Sequence, residues 1–217
     1  MTAGRPRRRR DEGMSLVEVL VAMGLFGVLG TLLLGLAMST SAVTQDTKSR
    51  TGVTGEARTA LERMTRELRQ SAGLDVVTLP GGGPYTSFTF WTDFDGDGFR
   101  DQTATDPEVL TYCWSATTDK LTLSDDADCS AARPVLAGEV SSLQLELDSS
   151  EWAYDANGNG TTSWQELDTK SGLGNSNGRP DGAELLHIDL VGVTLTVQDG
   201  TGGAQTFHTL IDLRNRT

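Results

Sequence analysis

The chain has 217 residues and a formal net charge of −12, a length that suits one ordinary domain with an N-terminal appendage. Residues 1–13 carry five positive and two negative charges (Arg5, Arg7, Arg8, Arg9, Arg10; Asp11, Glu12), so the remainder stands at −15. An acidic body excludes nucleic-acid binding through a broad basic surface. The arginine block sits directly before an apolar run and reads as a cytoplasmic topology signal.

Residues 14–38 form that run, with Glu18 as its one charge. At about 1.5 Å per residue it is long enough, as a helix, to cross a bilayer core. It is too long for a secretory signal peptide with a small-residue cleavage site. Residues 39–72 continue as an amphipathic segment. Ala57, Ala60, Leu61, Met64 and Leu68 recur at helical spacing, while Glu62, Arg63, Arg66, Glu67 and Arg69 fill the other faces. One long helix is expected from near Ser15 to near Ser71, weakened around Gly52 and Gly55 and stopped at Gly73.

Residues 73–217 read as β-rich. Strands are expected at Ser87–Trp91, Glu108–Trp114, Lys120–Leu123, Val140–Leu147, Leu185–Val197 and Thr206–Leu213. Turns or loops fall at Gly81–Gly83 and Asp199–Gly203. The fold class is α+β, with the second half of the long helix packed on an antiparallel sheet. Cys113 and Cys129 both follow the apolar run, so on this topology they lie outside the cytoplasm, where a disulfide between them is plausible. His187 and His208 are each expected on a strand without a carboxylate beside them, and the four tryptophans as core or loop packing. No nucleophile elbow, phosphate loop or zinc-helix motif is present, so no enzyme is expected.

Two acidic loops match the oxygen-ligand pattern of calcium sites. In residues 155–166, Asp155, Asn157 and Asn159 take the first, third and fifth places, Gly160 the sixth, and Glu166 the twelfth. Thr161 offers a backbone carbonyl, and Ser163 stands where a ligand acts through water. Two carboxylates imply weak affinity, about 10⁻⁴–10⁻³ M, and a structural ion. Asp93, Asp95, Asp97 and Asp101 form a second candidate, three of them crowded within DFDGDG. A third stretch, Asn175–Glu184, is degenerate because Leu173 stands at the first place. No flanking helix pair is expected. Asp, Asn and Gly also make good turns without any ion.

The junction reads Gly13, Met14, Ser15, Leu16, Val17, Glu18 and resembles the prepilin cleavage motif: a basic leader, a glycine, then an apolar helix with glutamate fifth. The resemblance implies that a membrane aspartyl prepilin peptidase cuts after Gly13 and that Met14, where phenylalanine is commoner, becomes the methylated N-terminus. It further implies that Glu18 pairs with the N-terminal amine of a neighbouring subunit. A carboxylate within a membrane helix costs about 2.5–3.5 kcal/mol on insertion scales, so it needs a partner or a role. The rest of the chain is similar, more loosely, to minor pilins and to type II secretion minor pseudopilins of the J class: Ser87–Asp101, the Tyr-bearing strand Glu108–Trp114, Pro134–Leu145, and the closing Leu213, Arg214, Asn215. That likeness implies a subunit at a filament tip that primes assembly. Its partners would be other pilins and an inner-membrane assembly platform, and its setting type II secretion, a type IV pilus or DNA uptake. The alternative is a membrane-anchored extracellular calcium-dependent binding or adhesion module that keeps residues 1–13.

Overall fold

The computed structural model describes residues 14–81, 85–93, 96, 102–103, 106–126, 128–130, 132–136, 138–199 and 202–213. Helix α1 spans Leu16–Gln70 and is followed, among the described residues, by eleven short or medium strands and a second, short helix. The chain divides into two compact units, one ending at Thr47 and one running from Lys48 to Thr217.

In the first unit the apolar side chains of α1 are exposed from Leu16 to Met38. This is the one helix, among the described residues, that is long and apolar enough to cross a membrane. Its threonine hydroxyls are satisfied within the helix: Thr31 Oγ1 donates to the Val28 carbonyl at 2.8 Å and Thr40 Oγ1 to that of Leu36 at 2.9 Å. Back-bonding of this kind leaves little polar surface for an apolar solvent to penalise.

In the second unit, α1 continues without a break through Gly52 and Gly55 to Gln70, so the weakening expected there is absent. Helical pairing of the flanking residues outweighs a cost of about 1 kcal/mol per glycine. The buried residues of α1 are Ala57, Ala60, Leu61, Met64 and Leu68, the stripe that the spacing predicts. Ser71 Oγ and N–H both return to the Leu68 carbonyl and close the helix. The helix stops at Gln70, and Gly73 opens strand β1, Gly73–Thr78, which was not among the expected strands.

One antiparallel sheet has the order β1–β2–β5–β6–β7, formed with Thr86–Trp91, Val109–Ser115, Lys120–Ser124 and Arg133–Pro134. A two-stranded ribbon, β3 (Gln102–Thr103) with β4 (Asp106–Pro107), lies between β2 and β5 in the chain. The other sheet has the order β11–β10–β8–β9, formed by Ala204–Asp212, Leu190–Gln198, Val140–Ser149 and Thr162–Ser163. Helix α2, Trp164–Thr169, follows β9 directly. The strand expected at Leu185–Val197 begins only at Leu190. Leu185–His187 instead form a 3-10 turn, because Leu186, Ile188 and His187 are tied by i to i−3 backbone bonds after Ala183 and Glu184.

The core joins α1 to both sheets. Phe88, Phe90 and Tyr112 stack in series, with ring centroids 5.3 Å apart for Phe88 and Tyr112. The Tyr112 hydroxyl donates to Glu67 on α1, whose other oxygen accepts from Arg63 Nε at 2.7 Å. Burial first, and then the Glu67 carboxylate, hold that phenol protonated far above its ordinary range. Trp114 Nε1 donates to the Val140 carbonyl at 2.6 Å, linking the two sheets. From the other sheet, Leu143, Leu145 and Leu147 of β8 and Val191, Val193, Leu195 and Val197 of β10 are buried. Cys113 on β5 is bonded to Cys129 in the segment after β6.

Candidate functional site

The N-terminal site is built from the first turn of α1. Ser15 precedes the helix, and its N–H donates to Glu18 Oε2 at 3.0 Å, while the Glu18 N–H donates back to Ser15 Oγ at 3.3 Å. This is a reciprocal capping box, which satisfies two of the donors that a helix start leaves open. It also sets a carboxylate at the positive end of the helix dipole. Glu18 Oε1 has no hydrogen-bond partner among the described residues. One oxygen therefore fixes the side chain, and the other faces outward. Met14 is 76 % exposed. Gly13 lies outside the described residues.

The loop Asp155–Glu166 folds around its own acidic groups. Asp155 Oδ1 accepts from the Gly158 and Asn159 N–H groups at 2.7 and 3.3 Å, and Oδ2 from Gly160 at 2.8 Å. Asn157 Oδ1 accepts from Asn159, and Asn159 Oδ1 from Thr161, each at 2.9 Å. Glu166 Oε1 accepts from Ala156 and Asn157 at 3.1 Å, and Oε2 from Ser163 at 2.9 Å. Gly160 has φ +91°, a conformation that favours glycine at the sixth place. Helix α2 starts at the tenth place and puts Glu166 in its first turn. No flanking helix pair was expected; one short helix, α2, leaves the loop, and a 3-10 turn, Trp152–Tyr154, enters it. Backbone N–H groups, led by Gly160, hold the Asp155 carboxyl below its ordinary value; those led by Ser163 do the same for Glu166.

The third acidic stretch repeats this geometry. Asn175 Oδ1 accepts from Asn177 at 2.9 Å, Asn177 Oδ1 from Arg179 at 2.8 Å, and Glu184 Oε1 from Asn175 at 3.4 Å. Gly178 has φ +73°. Leu173 occupies the first place, but Asp168, at the end of α2, does the work of that position. Its Oδ2 accepts from Gly178 at 2.9 Å and its Oδ1 from Asn177 at 3.1 Å. Gly174 makes this possible, since a Cβ there would collide with the Asp168 carbonyl. Asp168 and Glu184 are both buried, and burial, aided by Asp168 and Asp181, pushes the Glu184 carboxyl up. Position-by-position matching misses Asp168 because it comes from the preceding helix.

In the other predicted loop, Asp93 Oδ1 accepts from the Gly96 N–H at 2.7 Å. Asp95, Asp97 and Asp101 lie outside the described residues. Among the described residues, no group of three or more His, Cys, Asp or Glu side chains is arranged to hold a metal ion. The Asp155 set instead offers two carboxylates, two amide oxygens and the Thr161 carbonyl, all hard oxygen donors of the kind calcium takes. The histidines divide: His208 lies exposed on strand β11 as expected, with Nε2 4.0 Å from Glu146, whereas His187 sits on the 3-10 turn with Nδ1 3.2 Å from both Glu151 oxygens. Chain reversal after Glu184 brings His187 back over Glu151, a long-range contact that local pattern does not show.

A family model described as the prokaryotic N-terminal methylation motif matches residues 8–34. No curated protein and no solved structure matches the chain. The matched segment takes in Arg8, Arg9 and Arg10, the Gly13–Met14 junction and the Ser15–Glu18 capping box, and the long apolar helix leads into antiparallel sheets. The chain carries the prokaryotic N-terminal methylation motif at residues 8–34, and that motif supports a type IV pilin-like protein.

Proposed function

We propose that the chain is a minor pilin or pseudopilin of the J-like class, inserted as a single-pass precursor with its C-terminal β-rich domain, residues 73–217, outside the cytoplasm. Prepilin peptidase cuts after Gly13, the new Met14 terminus is methylated, and the subunit enters a type IV pilus or type II secretion filament, where it primes assembly at the tip. Its partners are other pilins and the assembly platform in the inner membrane, and its role is structural rather than catalytic. One observation carries this reading: Glu18 is the single charge in the exposed apolar run of α1 from Leu16 to Met38, and Ser15 holds one of its oxygens in place while the other has no partner among the described residues. In a membrane-like setting an unpaired carboxylate is costly, so a free oxygen aimed outward supports an intermolecular amine partner.

Mass spectrometry of the N-terminus from the native host tests it. A methylated Met14 terminus that disappears in a strain lacking the peptidase is the expected result. An intact Met1 leader in the presence of the peptidase overturns it.

The geometry of Asp155–Glu166 favours a second property. We propose that this loop takes calcium weakly and that the ion is structural. The backbone conformation, the glycine at the sixth place and a helix beginning at the tenth support it. Melting the full chain in detergent with millimolar calcium and then with chelator should show a higher midpoint with calcium. An unchanged midpoint counts against calcium without touching the pilin reading.

A further inference from the structure

A groove of about 670 Å³ runs between α1 and β11, lined by Arg58, Leu61, Arg66 and Arg69 on the helix and Phe207 and His208 on the strand. The helix is fastened alongside the strand: Thr54 Oγ1 donates to Gln205 Oε1 at 2.6 Å, and Arg50 Nε lies 3.2 Å from Asp199 just before β11.

β11 is an edge strand. Its nine residues pair with β10 on one side, and among the described residues no strand lies on the other. Natural edges are usually blunted by brevity, proline, lysine or a bulge. β11 has none of these: it is long, contains neither residue, and keeps unbroken register with β10 from Ala204 to Asp212. Leu210 on it is 53 % exposed. Such an edge is a template for an added strand.

The charge of the groove selects the strand. Arg58, Arg66 and Arg69 recur along one face of α1, and Glu62 is the lone carboxylate among the lining side chains. None of the three arginines forms an ion pair among the described residues. This cationic strip stands on a chain of net charge −12, so the body repels a polyanion as large as a nucleic acid, while the strip still attracts a short acidic segment. The floor, Leu61 and Phe207, is apolar and suits the alternate side chains of an extended peptide rather than a phosphate backbone.

We propose that this groove binds an extended acidic segment of another protein, which adds to β11 as a fifth strand of that sheet and sets its carboxylates on Arg58, Arg66 and Arg69. The proposal is independent of cleavage at Gly13. It is tested with the full chain in nonionic detergent micelles. The probes are a labelled peptide alternating glutamate and valine, cut to the nine-residue length of β11, its lysine counterpart, and a single-stranded oligothymidine. The glutamate peptide should bind, lose affinity about tenfold on Arg66→Glu, and weaken as salt is raised, because exposed charge pairs are screened within about 10 Å at 0.1 M salt. In the wild-type chain it should shift the amide resonances of Ala204–Asp212, a readout that needs no variant. Arg66 is exposed, so the variant should keep the wild-type melting midpoint; if it unfolds, Arg58→Glu and the amide map decide. Absence of glutamate-peptide binding overturns the proposal. So does equal binding of the lysine peptide, tighter binding of the oligothymidine, or binding that leaves the β11 amides unmoved.

Discussion

Single carboxylates organise the acidic region of this protein through the backbone N–H groups they collect. Asp155 and Glu166 have folded-state pKa values below their ordinary ones. Their contribution to stability is therefore present above about pH 4 and is lost as pH falls through the folded values. Glu184 has the opposite sign: burial raises it, so its ionisation opposes folding and is relieved as pH falls through its raised value. In an amide-shift titration, the Asn175 N–H bonded to Glu184 should therefore move at a higher pH than the Gly160 N–H bonded to Asp155. The reverse order would break the assignment. Asp168 gives a second test. Asp168→Ala leaves the Asn177 and Gly178 donors without their acceptor, and a lost acceptor in a buried place costs about 1–3 kcal/mol. Denaturant melts should show that loss, with Asp168→Asn losing less because it keeps one acceptor oxygen. The first loop was legible in the sequence because its residues are consecutive. Asp168 was not, since its role depends on how α2 ends and on Gly174 letting the chain turn back against the Asp168 carbonyl.

At the scale of elements, α1 was the easiest to read. Its apolar stripe repeats at helical spacing, and the same five residues are the buried ones. Met64 is fully buried at the centre of that stripe, so Met64→Ala should cost about 2–5 kcal/mol in a denaturant melt. Gly55 is the counter-case. A Cβ there would meet nothing within 4 Å, so Gly55→Ala should raise stability by about 0.5–1 kcal/mol through helix propensity. A loss on Gly55→Ala would mean that a partner not present in the isolated chain needs that bare surface. Most strands were legible from alternation, as in β8, where Leu143, Leu145 and Leu147 turn inward and Gln144 and Glu146 outward. The failures have physical causes. β1 begins right at the helix stop, and its pairing with β2 slips between Leu74 and Val76, so no clean alternation survives. Leu185 and Ile188 are as apolar as strand residues but are buried on a 3-10 turn.

For the whole molecule, the division at Thr47 and Lys48 matters more than the length of α1. The buried stripe of α1 begins at Ala57, and the core that receives it ends at Leu213, so among the described residues every buried partner lies within Lys48–Thr217. Cutting the helix at Lys48 removes no core side chain. It does remove the exposed apolar run, for which water is a poor solvent. A chain of residues 48–217 should therefore stay soluble and unfold in one cooperative step, with the Tyr112 and Trp114 environments intact by near-ultraviolet dichroism. The Cys113–Cys129 bridge closes a loop of sequence separation 16, and removing a constraint on that length costs about 3 kcal/mol by chain entropy. Reduction should lower the stability of the fragment by that order while leaving it folded, because the five-stranded sheet is also held by backbone pairing from β1 to β7 and by the buried stack of Phe88, Phe90 and Tyr112. A fragment that melts without cooperativity before reduction would show that residues up to Thr47 supply stability that the buried contacts of the second unit do not account for.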